Sequence, residues 1–239
     1  MVLVHGAWHG AWCWERVVER LDARQVPVVA IDLPGHGDDH GPLADLPGDA
    51  ERVRAVLAGI AGPVVLVGHS YGGAVVTEAG VAENVIHVVY LCAFAIDETE
   101  SCATAGAAEP EVAAISHEGR PDLGAAMQVD RTDGSVTLDP ALAPACLYND
   151  CDPETVASAL ARLGPESLVS LRQSPTAVAW RTTPSTYVVC ADDQAVHPDL
   201  QRLLARRCTT AVEWPADHSP FLSFPDHVAD LLADLAARA

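Results

Sequence analysis

The sequence predicts an α/β fold in which a mainly parallel sheet of about six strands is covered by helices on both faces. Three observations carry this. Short apolar runs recur along the chain, segments of helical spacing lie between them, and a 49% hydrophobic content over 239 residues is enough for one large core. Strands buried on both faces read as unbroken apolar runs instead of alternating ones, and that is the pattern of a parallel sheet between two helical layers.

The runs are VLVH at 2–5, VPVVAID at 26–32, PVVLVGH at 63–69, VIHVVYLC at 85–92, STYVVCAD at 185–192 and TTAVEW at 209–214. WERVVERLDAR, from Trp14 to Arg24, and AERVRAVLAGI, from Ala50 to Ile60, have the spacing of crossover helices. The last segment, PDHVADLLADLAARA, puts Val228, Leu231, Leu232 and Leu235 on one stripe, with Pro225 suited to a first helical turn. Met1 stands just before the first run, so an opening antiparallel hairpin is not expected and the sheet should be all or nearly all parallel.

Between about Asp97 and Ala179 the alternation stops and Pro, Gly, Ala and acidic residues dominate. This reads as an inserted, mostly helical cap over 97–179, with a core built from 1–96 and 180–239. Within the cap, MQVDRTDGSVTLD should form a hairpin turning at Asp133-Gly134, and Asp152, Pro153 and Gly164 should cap, open and stop a helix.

Charge narrows the partners. Lys plus Arg is 14 against 33 for Asp plus Glu, a net charge of -19, and such a field repels phosphate backbones and anionic membranes. No apolar run approaches the roughly 18 residues of a membrane span, and no basic leader opens the chain, so a cytoplasmic location is expected. The seven cysteines are scattered without short paired spacings and read as free thiols.

Chemistry enters at GHSYG, residues 68–72, a match to the G-x-S-x-G elbow that lifts a serine onto a sharp strand-to-helix turn. A chain of this length meets the bare pattern by chance about one time in twenty. Here PVVLV supplies the strand before it and AVVTEAGVAEN the helix after it, as the motif requires. Ser70 is therefore the candidate nucleophile.

A serine hydroxyl needs an imidazole to take its proton and a carboxylate to orient that imidazole, and in this fold both follow the serine on late loops. His218, between TTAVEW and the final helix, is the candidate base. Asp193 is the candidate acid, favoured by spacing over Asp192, while Asp192 and Asp217 read as loop-capping or solvated carboxylates. The oxyanion that develops needs two donors: the Tyr71 amide follows the nucleophile, and the Ala7 amide lies in HGAW after the first strand.

The other nine histidines read as packing or surface residues, with His69 merely filling the elbow. HGAWH and HGDDH each space two histidines four apart, but their glycines make loops and not the helical face a zinc site needs, so no metal is expected. Gly35-His36-Gly37 lacks the rest of any dinucleotide or phosphate-loop fingerprint, and no cofactor is expected.

Taken together, HGAWHGAWCW, AIDLPGHGDD, VGHSYGG, CADDQAVHP and ADHSPFLSFP, with YNDCDPE in the cap, resemble one branch of the α/β-hydrolases. That branch holds bacterial pyrethroid-type carboxylesterases, plant methylesterases and hydroxynitrile lyases. The resemblance spans nearly the whole chain and implies an α/β-hydrolase fold, Ser70, Asp193 and His218 as triad, and the Ala7 and Tyr71 amides as oxyanion donors. The lyases carry a threonine and a lysine where this chain has Gly6 and Ser219, and the lysine holds the leaving cyanide, so lyase chemistry is disfavoured.

The expected activity is hydrolysis of a small, neutral, largely apolar ester through an acyl-enzyme on Ser70. A lactone-opening or lactone-closing enzyme and a non-catalytic ligand binder are the alternatives. Trp8, Tyr148 and Trp180 are candidates for the pocket walls, and oligomeric state, a homodimer included, is left open.

Overall fold

The computed structural model describes residues 1–238; Ala239, the last residue of the expected terminal helix, lies outside the described residues. The chain runs β1 (Val2–Val4), α1 (Glu15–Ala23), β2 (Val29–Ile31), α2 (Leu46–Ala58), β3 (Val64–His69), α3 (Gly72–Ala79) and β4 (Val85–Leu91). After these come α4 (Leu123–Ala126), β5 (Met127–Val129), β6 (Ser135–Leu138), α5 (Ala143–Leu147), α6 (Pro153–Leu160) and β7 (Glu166–Ser167). It closes with β8 (Ser185–Cys190), α7 (Pro198–Ala205), β9 (Thr210–Trp214), α8 (Pro220–Ser223) and α9 (Pro225–Ala236).

Six strands in the order β2-β1-β3-β4-β8-β9 make one parallel sheet, as their apolar runs predict. Every residue of β1, β3 and β8 is buried. Their side chains alternate between two cores: Val2, Val4 and Leu66 pack with Leu46, Val53 and Val75 of α2 and α3, while Leu3, Val65 and Val67 pack with Val17, Leu21, Val228 and Leu232 of α1 and α9. Each such side chain contributes about 1.5–3 kcal/mol of burial. β9 is the exposed edge, where Arg202 pairs with Glu213 at 2.7 Å.

Two helix boundaries differ from those expected. α2 begins at Leu46 and not near Ala50, because the Asp45 side chain accepts from the Gly48 amide (3.0 Å) and a proline occupies the first turn. A polar cap of this kind precedes the apolar periodicity and is invisible to it. α6 opens on Asp152 and Pro153 as expected but ends at Leu160, and Gly164 instead donates its amide to Trp8 O at 2.8 Å.

The segment between β4 and β8 contains the expected hairpin, with Met127 opposite Leu138 and Gly134 at φ +76° in its turn. β7 adds a third antiparallel strand, pairing Glu166 with Val136. Two residues carry no periodicity, so nothing in the local sequence announces it.

α3 crosses β1 and β3 at backbone contact. A Cβ on Gly72 would lie 2.4 Å from His5 O, and one on Gly68 would lie 2.4 Å from Gly72 O. Gly72→Ala is therefore expected to cost about 2 kcal/mol, a Tm drop of roughly 4–8 °C by scanning calorimetry. Gly164→Ala, where a Cβ meets nothing within 4 Å, should leave Tm nearly unchanged; equal effects at the two positions would refute the close-approach account.

Candidate active site

β3 delivers Ser70 to the carboxyl edge of the sheet and α3 starts two residues later. Ser70 sits at φ +50°, a left-handed conformation that costs a non-glycine residue energy and persists only where the surroundings enforce it. Its carbonyl accepts from Gly73 N (2.9 Å) and Phe94 N (3.1 Å), and its amide donates to Leu91 O (3.3 Å). Only 8% exposed, the residue opens onto a cavity of about 300 Å³.

The loops after β8 and β9 bring Asp193 and His218 together, both buried, with His218 Nδ1 2.7 Å from Asp193 Oδ2. That carboxylate is satisfied on every side: Oδ1 accepts from the Ala195 (2.7 Å) and Val196 (2.9 Å) amides, and Oδ2 also accepts from Gln201 Nε2 (2.7 Å). Nδ1 facing the carboxylate leaves Nε2 as the free imidazole nitrogen. Arg120 donates to the Asp193 carbonyl, clamping the loop from the cap side. Asp192 is exposed, as expected of a solvated residue.

Asp217 takes the loop-capping role of the two expected for it, and it does so out of solvent. It is fully buried and accepts from Ser223 Oγ (2.7 Å), Ser219 N (3.1 Å) and Asp150 N (3.1 Å), which ties the base loop to the cap; burial holds its carboxyl above the usual range.

His69 is more than a filler. Its Nε2 donates to His218 O at 2.8 Å, and the two rings lie 4.7 Å apart. A carbonyl only accepts, so Nε2 carries the proton, and burial holds the ring neutral by pushing its pKa well down. The residue beside Ser70 thus grips the backbone of the candidate base. Cys92 Sγ donates to the same carbonyl at 3.4 Å. Atoms of His69, Cys92 and His218 come within 4.8 Å of one another; His69 Nε2 and Cys92 Sγ are spent on His218 O, His69 Nδ1 has no partner among the described residues, and burial keeps the thiol protonated.

Among the described residues neither the Ala7 amide nor the Tyr71 amide has a protein acceptor, and both residues line the cavity. His5 sets the first of them. Its Nε2 accepts from Leu33 N (3.1 Å), so its proton is on Nδ1, which donates to Gly6 O (2.8 Å). The Gly6 carbonyl and Ala7 N–H are opposite ends of one trans peptide, so holding the carbonyl on the buried side turns the N–H away from it. His9, neutral with its pKa lowered to about 4 by burial, donates to Ala7 O and receives Tyr148 OH, both at 2.8 Å.

The cavity walls are apolar: Trp8, Phe94 and Val196 from the loops after β1, β4 and β8, and Leu123, Met127, Leu168 and Leu171 from the segment between β4 and β8. Of the three expected wall residues only Trp8 is there. Tyr148 serves His9, and Trp180 donates to Ile96 O at 2.9 Å. Beneath the cavity lies a buried polar cluster that sequence reasoning missed. Glu166 of β7 meets His36 Nε2 (3.2 Å) and Ser170 Oγ (2.9 Å), and Tyr71 OH donates to Asp49 Oδ2 (2.5 Å). The HG-x-x-H spacings weighed above for metal were the available signal for His5, His9 and His36; Asp49 and Glu166 had none.

The chain belongs to the alpha/beta hydrolase family, whose model matches residues 1–231. It is 29% identical to "Alpha/beta hydrolase nvfD" of Aspergillus novofumigatus, over 100% of this chain and 97% of that protein. It is 28% identical to "Methylesterase 9" of Arabidopsis thaliana, covering 99% and 98%. The crystal structure of a pyrethroid hydrolase from Sphingobium faniae JZ-2 superposes with a TM-score of 0.83 at 25% identity, covering 99% of this chain and 96% of that one. Its relatives are esterase-type hydrolases, and among the described residues no helix is long and apolar enough to cross a membrane.

Asp49 gives a stability test. Burial pushes its carboxyl from 3.8 up to about 7, and its Oδ1 has no partner. A carboxyl that holds its proton more tightly when folded stabilises below its unfolded pKa and loses that contribution as pH rises through the window from about 4 to 7. Asp49→Asn keeps an acceptor for Tyr71 and cannot ionise. Between pH 4 and 8 the parent protein should therefore lose on the order of 3 kcal/mol more stability than the variant, measured by urea unfolding; parallel curves would contradict this.

Proposed function

We propose that the protein is a serine carboxylesterase acting on a small, largely apolar ester. The observation that supports this best is the 2.7 Å His218–Asp193 pair, held by His69 to the strained turn that carries Ser70 at the floor of an apolar cavity. The methylesterase and pyrethroid hydrolase relatives support the same class of chemistry.

In this reading Ser70 Oγ attacks the ester carbonyl while His218 Nε2 takes its proton, and Asp193 stabilises the imidazolium. The oxyanion is met by the Ala7 and Tyr71 amides, which need no reorganisation because no protein acceptor competes for them. The alcohol leaves with the proton from His218, and a water activated by the same imidazole then releases the acid. The apolar walls exclude water from the ester and recognise its carbon skeleton.

A fluorophosphonate probe should label Ser70, and Ser70→Ala should lower kcat by about 10⁴-fold or more on aryl esters. Asp193→Asn should cost on the order of 10⁴-fold, with Asp192→Asn within a few-fold of the parent. The reverse ranking would reassign the acid, and absence of labelling would favour a ligand binder.

His5 is a positioning residue in this scheme. His5→Phe retains bulk but removes the donor to Gly6 O, so kcat is expected to fall by roughly 10–100-fold with KM within a few-fold. A change confined to KM would dismiss the role.

A further inference from the structure

Resting on the esterase reading, we infer that the substrate carries an anionic group, a carboxylate, at the end remote from its ester, and that Arg172 receives it. Among the described residues Arg172 is the only charged one lining the cavity onto which Ser70 opens. It is also exposed and borders a second, outer hollow beside Leu168 and Val169, which puts it at the cavity's rim.

Its backbone is fixed while its charge is not matched. The turn Ser170–Arg172 is pinned by Ser170 Oγ on the buried Glu166 (2.9 Å), and Gln173 is pinned by accepting from Leu46 N (2.8 Å). Leu168 and Leu171 of the same stretch pack into the core. Among the described residues Arg172 has neither an ion pair nor a side-chain hydrogen bond. In a chain with 33 acidic residues and 14 basic ones most arginines are taken up by the acidic excess, Arg20 by Asp226 (2.6 Å), Arg162 by Glu15 (2.6 Å) and Arg202 by Glu213 (2.7 Å), and of those that are not, only Arg172 is among the described residues that line the cavity.

An apolar ester gains nothing from a guanidinium at the mouth of its site, and the net charge of -19 repels any anion that approaches. A planar five-donor fork at the rim offsets that field where the far end of a bound molecule emerges, and it matches a carboxylate in two hydrogen bonds. The substrate class is then a half-ester: an acyl chain with the scissile ester at Ser70, an apolar middle against Leu168 and Leu171, and a terminal carboxylate at Arg172.

The test compares 4-nitrophenyl monoesters of straight-chain dicarboxylic acids with the same esters ending in a carboxamide, over a series of chain lengths. At the chain length that spans the cavity, kcat/KM should favour the carboxylate by about tenfold. Arg172→Gln should bring the ratio to near one, and Arg172→Glu should invert it. Because both rates come from one preparation, loss of folded enzyme cancels from the ratio. A parent ratio of one or below at every length, or a preference that survives Arg172→Gln, overturns the inference. Failure of both esters together with failure of fluorophosphonate to label Ser70 refutes instead the esterase reading, and this inference with it.

Discussion

The hydrogen bond from His69 Nε2 to the carbonyl of His218 is the constraint on which the rest of the site depends. Ser70 and His218 lie at opposite ends of the chain, on the turn after β3 and on the loop after β9, three strands apart in the sheet. Nothing local relates them. The side chain adjacent to the first closes on the backbone of the second, and Phe221 packs edge-on against the same imidazole at 4.7 Å. Burial enforces a neutral His69, and a neutral ring with its proton on Nε2 is what this geometry requires.

A second consequence concerns the loop after β1. Its polar groups are tied to the cap as much as to the core: Trp8 Nε1 donates to Val136 O (2.9 Å), Trp8 O accepts from Gly164 N (2.8 Å), and His9 meets Tyr148 (2.8 Å). Trp8 itself is held at φ +65°. The segment between β4 and β8, which supplies cavity walls, therefore also holds the loop that carries Ala7. The cavity lining and the Ala7 peptide share one set of buried hydrogen bonds, and each is expensive to leave unmade.

Acidic and histidine side chains below the cavity follow the same logic. Asp49, Glu166 and His36 are buried at 2% exposure or less, and after burial itself the charges of Glu166 and His36 act on the protonation of Asp49. His36 has a carbonyl on one nitrogen and the Glu166 carboxylate on the other, and that carboxylate raises its pKa against the lowering by burial. Buried charge of this kind is costly unless it is paired, and the His36–Glu166 contact joins the loop after β2 to β7.

The sheet, its parallel sense and the elbow were legible in the sequence because each rests on a local pattern: unbroken apolar runs, helical spacing between them, and glycines where backbones touch. Ser70, Asp193 and His218 were chosen as candidates by their places after β3, β8 and β9, and the fold brings the last two into hydrogen-bond contact. The tertiary structure alone decided what surrounds them. The roles of His5, His9 and His69, the burial of Asp217, the strand Glu166–Ser167, and the identity of the cavity walls depend on two-residue elements or on partners distant in the chain, from 28 residues for His5 and Leu33 to 149 for His69 and His218. Periodicity encodes which face of an element is apolar, whereas a histidine's tautomer or a carboxylate's partner is set by whichever distant atom the fold brings within 3 Å.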